Sequence, residues 1–585
     1  MKFLVNFCGI RALSVLSLAS LLMIVLDLMS IAVVLPFLTL FMNPSLAHSN
    51  KIVSNIYRWI GFDGENEFLL ACGVVLIIAF IVKLVAKTLI NMIKYRVVNN
   101  TAHKLATGIF SELMGAEYAL FTEQSTAEMV VVINSHSIHS IICLEAFING
   151  LSELIFLLLF VGFFFVLNPI ISAVTICIFA AIGVISYFTI ARRINETGNI
   201  HSYYCNQVHR FGFVMANSIK DVKIMGLEKQ YSNRFEDLWQ AYSGNMARSA
   251  TIKAIPRDFS EFLVLGALVS TCLFIASSGY SLTKIIPLLG LLAISIMRAL
   301  PSLNRIISSY NEYKYYRSSL GMVEKLYHEA VVRKQKMTPV DIPFESELSV
   351  TDLVFSYNGK MVLDKVSFSI EKGQAVAFVG ASGTGKSTLL DVLAGLRELQ
   401  EGSFLFDGVN FNPFTTDALK RKVGYVPQSV TLADESVAFN IAFTHEYDKG
   451  KMLMVLRMAQ LNSFIDELPD GINTLLGESG VRVSGGQRQR IGIARALYRD
   501  PEILIFDEAT SAVDTVTERE LMREINSLSG EKTLIIVAHR LSTVEKCTAI
   551  HLLENGRIIA RGTQDELLQS SPQYRNLYQQ QEQLS

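Results

Sequence analysis

Residues 375–396 read AVAFVGASGTGKSTLLDVLAGL. Five apolar residues of strand length run into a glycine-punctuated turn and then into a helix-forming segment. The turn, Gly380 to Thr388, has the spacing GxxxxGK followed by Ser or Thr. Gly380, Gly383 and Gly385 let backbone N–H groups approach phosphate oxygens, and the start of the next helix adds a positive dipole end. Ala381, Ser382 and Thr384 fill out the cradle. Lys386 is placed to reach β- and γ-phosphates and Ser387, ahead of Thr388, to ligate Mg²⁺. A strand before it and a helix after it make a plain tight connection a poor account of this stretch.

Downstream, residues 501–511 read PEILIFDEATS. Here an apolar strand ends in Asp507, placed to hold Mg²⁺ or its water. The next residue, Glu508, is the natural general base for a water attacking the γ-phosphate. Further runs of strand length at 374–379, 422–428, 503–506 and 533–538 predict a buried, largely parallel sheet. Asn555-Gly556 between residues 549–554 and 557–561 predicts a type I′ hairpin.

The rest of the chain is of another kind. Of 585 residues 51% are hydrophobic and 18% charged, against about 25% charged in an ordinary soluble domain. The surplus apolar surface needs lipid. Ser14 to Met42 holds one charge, Asp27, in 29 residues, and Phe68 to Val82 holds none. A span takes about 20 apolar residues, which predicts six transmembrane helices near 13–42, 67–97, 140–167, 169–191, 258–278 and 283–308. The first is too long, and carries Asp27 and Pro36, to be a cleaved signal peptide. Residues 98–140 and 192–257 are too long for simple loops and predict spans that continue beyond the bilayer and turn back. Lys and Arg are concentrated on the side that carries Lys94, Arg192 and Arg193, which places that side, and both termini, in the cytoplasm. Net charge is −1, leaving no basic excess for nucleic acid. Seven scattered cysteines read as small apolar residues, with no disulfide frame or zinc spacing.

Between the two nucleotide motifs lies VSGGQRQRIGIARAL, Val483 to Leu497. SGGQ opening a helix, with a phosphate loop upstream and DEATS just after, resembles the signature of ABC-transporter ATPases. The resemblance implies further assignments: Tyr357 stacking on adenine, Gln428 joining the metal site to the membrane domain, Ser484, Gly485, Gly486 and Gln487 as the signature. It also implies Asp514 in a dimer-contacting loop and His539 touching the γ-phosphate. Residues 474–478 (TLLGE) resemble an exporter-specific segment.

Six spans ahead of one ATPase resemble a half-size ABC exporter: a membrane α-helical exporter fused to an α/β P-loop ATPase domain. The expected division is 1–325 membrane domain, 326–344 linker and 345–585 nucleotide-binding domain. The resemblance implies ATP and Mg²⁺ as ligands, catalysis by Glu508, His539 and Lys386, and metal ligation by Ser387, Gln428 and Asp507. It also implies a dimer, most simply a homodimer, in which the signature of one subunit completes the site of another. Closure of the nucleotide domains would be transmitted by tips near Tyr118–Glu128 and Met215–Glu228.

Cargo leaves a fainter trace. Lys83, Lys87 and Lys94 fall at i, i+4 and i+11, within about 40° of one another at about 100° per residue. Arg298 and Arg305 share a face seven residues apart, and Arg257 opens the fifth span. Basic groups facing an inner cavity suit an anionic headgroup; the alternative is snorkelling to the lipid surface. Residues 253–263 (KAIPRDFSEFL) and 297–320 resemble PglK-type lipid-linked oligosaccharide flippases. That implies an anionic, lipid-linked substrate, a polyprenyl-pyrophosphate glycan, in a bacterial inner membrane. An exporter of peptides, lipid A or drugs shares every nucleotide motif and is the alternative; an ATP-gated channel is another.

Overall fold

A computed structural model of the chain describes residues 2–42, 64–167, 169–277, 282–357, 359–477, 483–508, 525, 528–538 and 540–582. The chain divides into a helical unit, Met1–Ala116 with Leu120–Lys334, and a mixed unit, Gln335–Ser585 with Glu117–Ala119.

The apolar runs form long helices. Among the described residues six exceed 30 residues: α1 (Lys2–Met42), α2 (Glu65–Met114), α3 (Ser137–Leu167), α4 (Pro169–Ile224), α5 (Glu228–Ser277) and α6 (Leu282–Val332). Each expected span lies inside one of them or overlaps it. Among the described residues, stretches Phe3–Met29, Glu67–Met114 and Thr126–Gly162 are long and apolar enough to cross a membrane. On α2, Leu70, Val74, Ile77, Ile81 and Leu84 are each more than half exposed. Such a belt is stable only in lipid, where the helix also satisfies its own backbone polar groups.

Residues 192–224 and 228–257 continue α4 and α5 as one helical hairpin turning at Met225–Leu227, as expected from their composition. The other extension is more broken. Short helices Tyr118–Glu123 and Thr126–Val131 and a π-helical turn Val132–His136 lead into α3. Two boundaries differ from the sequence reading. The first helix begins at Lys2, not at 13, with a break at Gly9 (φ 76°, ψ 154°), because Leu4 and Cys8 are buried and Phe3 and Phe7 pack on Tyr327. Residues 326–332 continue α6 instead of opening the linker, since Leu326 and Ala330 belong to its buried face.

Among the described residues the mixed unit holds two sheets. β1 (Glu347–Tyr357), β2 (Lys360–Glu371), β4 (Glu401–Phe406) and β5 (Val409–Phe411) form an antiparallel sheet of order β2-β1-β4-β5. The second sheet has the order β10-β9-β3-β8-β7-β6, with strands β3 (Ala375–Val379), β6 (Val423–Val426), β7 (Ile503–Asp507), β8 (Thr533–Val537), β9 (Ala549–Glu554) and β10 (Arg557–Gly562). Neighbours from β9 to β6 are parallel, and only β10 runs antiparallel. β3 and β8 are fully buried, which is why they read as unbroken apolar runs. Asn555 and Gly556 both have positive φ, 51° and 78°, as a type I′ hairpin requires.

Candidate functional site

In a parallel sheet the carboxyl ends of the strands share one edge, where ligands of open α/β sheets bind. β3 delivers Gly380 to that edge, β7 delivers Asp507 and Glu508, and β6 leads into Gln428. Motifs separated by over a hundred residues thus meet because β6, β7, β8 and β3 are consecutive in the sheet.

The loop after β3 is shaped by close backbone approaches. A Cβ on Gly380 would stand 2.3 Å from the Leu553 carbonyl oxygen, and one on Gly385, at φ 101°, would stand 2.9 Å from that of Val362. No side chain fits at either position. Helix α7 (Lys386–Leu393) starts directly after Gly385. Ala381, Ser382, Gly383 and Ser387 are exposed on the loop, and Thr384 Oγ1 donates to the Ala381 carbonyl at 2.9 Å. Lys386 is 4% exposed, and its ammonium donates to the carbonyls of Gly380 and Ala381, both at 2.9 Å. Burial draws its pKa below the ordinary lysine value, opposed by the charges of Glu508 and Asp507. A partly desolvated cation at the centre of a backbone loop suits phosphate oxygens.

Opposite stand the carboxylates. Glu508 has φ 48°, a left-handed conformation that a non-glycine residue holds at a cost of order 1 kcal/mol. Its N–H is fixed on the Val537 carbonyl at 2.9 Å, and its Oε2 accepts from Gln428 Nε2 at 2.5 Å. With its amide nitrogen spent there, Gln428 has its carbonyl oxygen as the group to offer a cation. The Ser387 hydroxyl, the Asp507 carboxylate and the Gln428 amide oxygen are oxygen donors of the kind that a hard divalent ion takes. Tyr425, which the sequence reading passed over, donates its hydroxyl to Asp507 Oδ2 at 3.0 Å. Burial and the Asp507 charge hold the Tyr425 phenol far above its usual pKa, so it stays a donor. The signal was available: in YVPQ the tyrosine lies three residues ahead of Gln428 on the strand beside β7.

Tyr357 is 38% exposed at the end of β1, with the Arg397 guanidinium 5.2 Å from its ring centre. The signature opens helix α8 (Gly485–Leu497) through a capping box. The Ser484 hydroxyl accepts from the Gln487 N–H, and the Gln487 side chain accepts from the Ser484 N–H. Among the described residues no hydrogen bond or ion pair joins Ser484–Gln487 to the phosphate loop. His539, Asp514 and Glu478 lie outside the described residues.

The helical unit has a site of its own, a cavity of about 360 Å³ walled by α1, α2, α3 and α6. Lys87, Lys94 and Arg305 line it. The shared cationic face is present, but its charge is not in excess. Lys83 and Lys87 both reach Asp27, at 2.9 and 3.6 Å. Lys94 pairs with Glu145 at 3.7 Å and with Asn149. Arg305 forms a fork with Glu153 at 2.5 and 3.1 Å. Asp27, Glu145 and Glu153 were missed as partners, although charged groups within a span are expected to pair. Arg257 lies apart from this cavity: it pairs with Glu261 one turn on and its side chain is 74% exposed. The Arg298 side chain lies outside the described residues.

Comparison with known proteins agrees with both units. Residues 363–511 match the family described as ABC transporter. The heterocyst differentiation ATP-binding protein HepA of Nostoc is 30% identical over 500 residues, covering 80% of this chain and 77% of that protein. An ATP-dependent lipid A-core flippase of Paraburkholderia xenovorans is 28% identical over 493 residues, 82% of this chain and 81% of the other. Among solved structures, a bacterial Atm1-family ABC exporter with ATP bound has a TM-score of 0.77 at 23% identity, covering 98% of this chain and 99% of that one. The fold is therefore that of the ABC exporters over nearly the whole chain. Taken with the nucleotide edge of the sheet and the lipid-facing helices, these likenesses show that the chain belongs to the ABC transporter family, as an integral-membrane exporter of half-size organisation that binds ATP and couples its hydrolysis to transport.

Proposed function

We propose that this exporter works as a homodimer in a bacterial inner membrane and flips a lipid-anchored sugar. The observation that carries the catalytic part is the meeting of Lys386, Asp507, Glu508 and Gln428 at one sheet edge. In this reading Lys386 draws the β- and γ-phosphate oxygens into the loop, and Tyr357 stacks on adenine. Ser387, Asp507 and Gln428 would hold Mg²⁺, which when bound neutralises charge on the phosphates. Glu508 takes the proton of the water that attacks the γ-phosphorus, and His539 faces the same phosphate. Ser484–Gln487 and Asp514 serve the site of the partner subunit, the signature through the N-terminus of α8. Residues 1–325 carry the cargo and residues 345–585 hydrolyse ATP.

For the cargo, the relatives named as lipid A-core flippases support an amphiphile of that kind. The polyprenyl-pyrophosphate glycan suggested by residues 253–263 and 297–320 is the alternative, and shares with lipid A a sugar held on a lipid. The test is ATPase stimulation in lipid nanodiscs by lipid A, a polyprenyl-pyrophosphate glycan, hydrophobic peptides and drugs. Stimulation by the glycolipids is expected; stimulation by peptides or drugs alone overturns the reading.

A further inference from the structure

The cavity between α1, α2, α3 and α6 carries three acidic residues, Asp27, Glu153 and Glu312, and three basic ones, Lys87, Lys94 and Arg305. The formal charges of its wall balance. Its volume of about 360 Å³ falls within the ~300–1,000 Å³ of ordinary ligand sites. Twelve of its fifteen lining residues are polar, the other six being four serines and two asparagines, and Phe156 is among the three apolar ones.

Such a wall is a poor receptor for a polyanion. A phosphate or pyrophosphate offers acceptors only. A phosphate drawn to Lys87 or Arg305 competes with the carboxylate already paired there and lies beside its charge: Glu153 at Arg305, and Asp27, which keeps Lys83, at Lys87. A glycosyl group offers both donors and acceptors. Its hydroxyls can donate to the carboxylates and accept from lysine, arginine, serine and asparagine without opening any ion pair. We infer that this cavity binds an uncharged, hydroxyl-rich glycosyl group of the cargo, and that the ion pairs of its wall turn phosphate away. The inference rests on the amphiphile reading above and names the part of the amphiphile that is recognised.

The test uses the full chain in nanodiscs of neutral lipid and direct binding measurements. Five probes are used: lipid A, the same lipid with both phosphates removed, phosphatidic acid, a hydrophobic peptide, and the free glucosamine disaccharide as competitor. Dephosphorylated lipid A is expected to bind within fivefold of lipid A, and phosphatidic acid more than fivefold weaker than either. Lipid A binding more than fivefold tighter than its dephosphorylated form, or phosphatidic acid matching it, overturns the inference while leaving the amphiphile reading in place. Should none of the lipids bind while a hydrophobic peptide does, both fall. Competition by the free disaccharide identifies the sugar alone as sufficient, and its absence assigns the site to the lipid-anchored form; either supports the glycosyl class when the lipid order holds. Glu153→Gln gives an independent sign: freeing Arg305 should tighten lipid A and weaken the dephosphorylated lipid, and a shift of both in the same direction counts against the inference.

Discussion

Tyr425 donates its hydroxyl hydrogen to Asp507 Oδ2 over 3.0 Å, from the strand paired with the one that ends in Asp507. The register sets Tyr425 beside Ile505, so Asp507, two residues on, shares the face of Ile505. The phenol therefore orients the carboxylate proposed to meet the metal. A hydrogen bond to a charged group is worth about 1.5–3 kcal/mol. Tyr425→Phe should raise the Mg²⁺ concentration for half-maximal ATPase activity by roughly tenfold, with kcat at saturating Mg²⁺ changed far less. A Mg²⁺ titration at fixed ATP checks it. An unchanged midpoint would show that the hydroxyl only packs.

Glu508 is held from three directions: a left-handed backbone, an N–H fixed on Val537 and an Oε2 fixed by Gln428. That arrangement aims one carboxylate at a defined point. Positioned general bases contribute about 10²–10⁴-fold, so Glu508→Gln should lower hydrolysis by at least about a hundredfold while ATP binding stays near wild type. Turnover at the wild-type rate would remove Glu508 as the base.

The nucleotide edge was legible in the sequence because its chemistry is local: a turn of fixed spacing, a strand ending in two acids, a capped helix. Each motif is short enough to carry its own geometry. What escaped were relationships between elements. Tyr425 acquires its role only when β6 pairs with β7, and Asp27 acquires its partners only when α1 packs beside α2. The lysine stripe of α2 was readable from helical periodicity, but its neutralisation by residues of α1 and α3 was not. Hydropathy likewise located the first span and missed the start of α1 at Lys2, since the packing of Phe3 and Phe7 on Tyr327 joins positions over three hundred residues apart.

Lys386 spends its donors on two loop carbonyls, so it shapes the cradle as well as carrying the charge. Lys386→Ala removes both contributions. A lost charged hydrogen bond of about 1.5–3 kcal/mol corresponds to roughly 10- to 150-fold in affinity. Titration with a fluorescent ATP analogue should show at least a tenfold rise in Kd. Unchanged affinity would assign the lysine to the loop alone.

His551, on β9, stacks on Phe378 of β3 with ring centres 5.1 Å apart, and is 1% exposed. Among the described residues neither ring nitrogen has a hydrogen-bond partner. Burial lowers its pKa to about 4, helped by the charge of Arg561. The folded state thus resists protonation that the unfolded chain accepts near pH 6.5. Above that pH neither state binds the proton and the group is neutral in its effect. As pH falls from about 6.5 towards 4 the unfolded state gains the proton first, and stability drops, by up to about 3 kcal/mol for a shift of this size. His551→Leu should therefore lose less thermal stability than wild type between pH 7 and pH 4.5, when the full chain is melted in detergent. Parallel melting curves over that range would mean that His551 takes its proton without disturbing the β3–β9 packing.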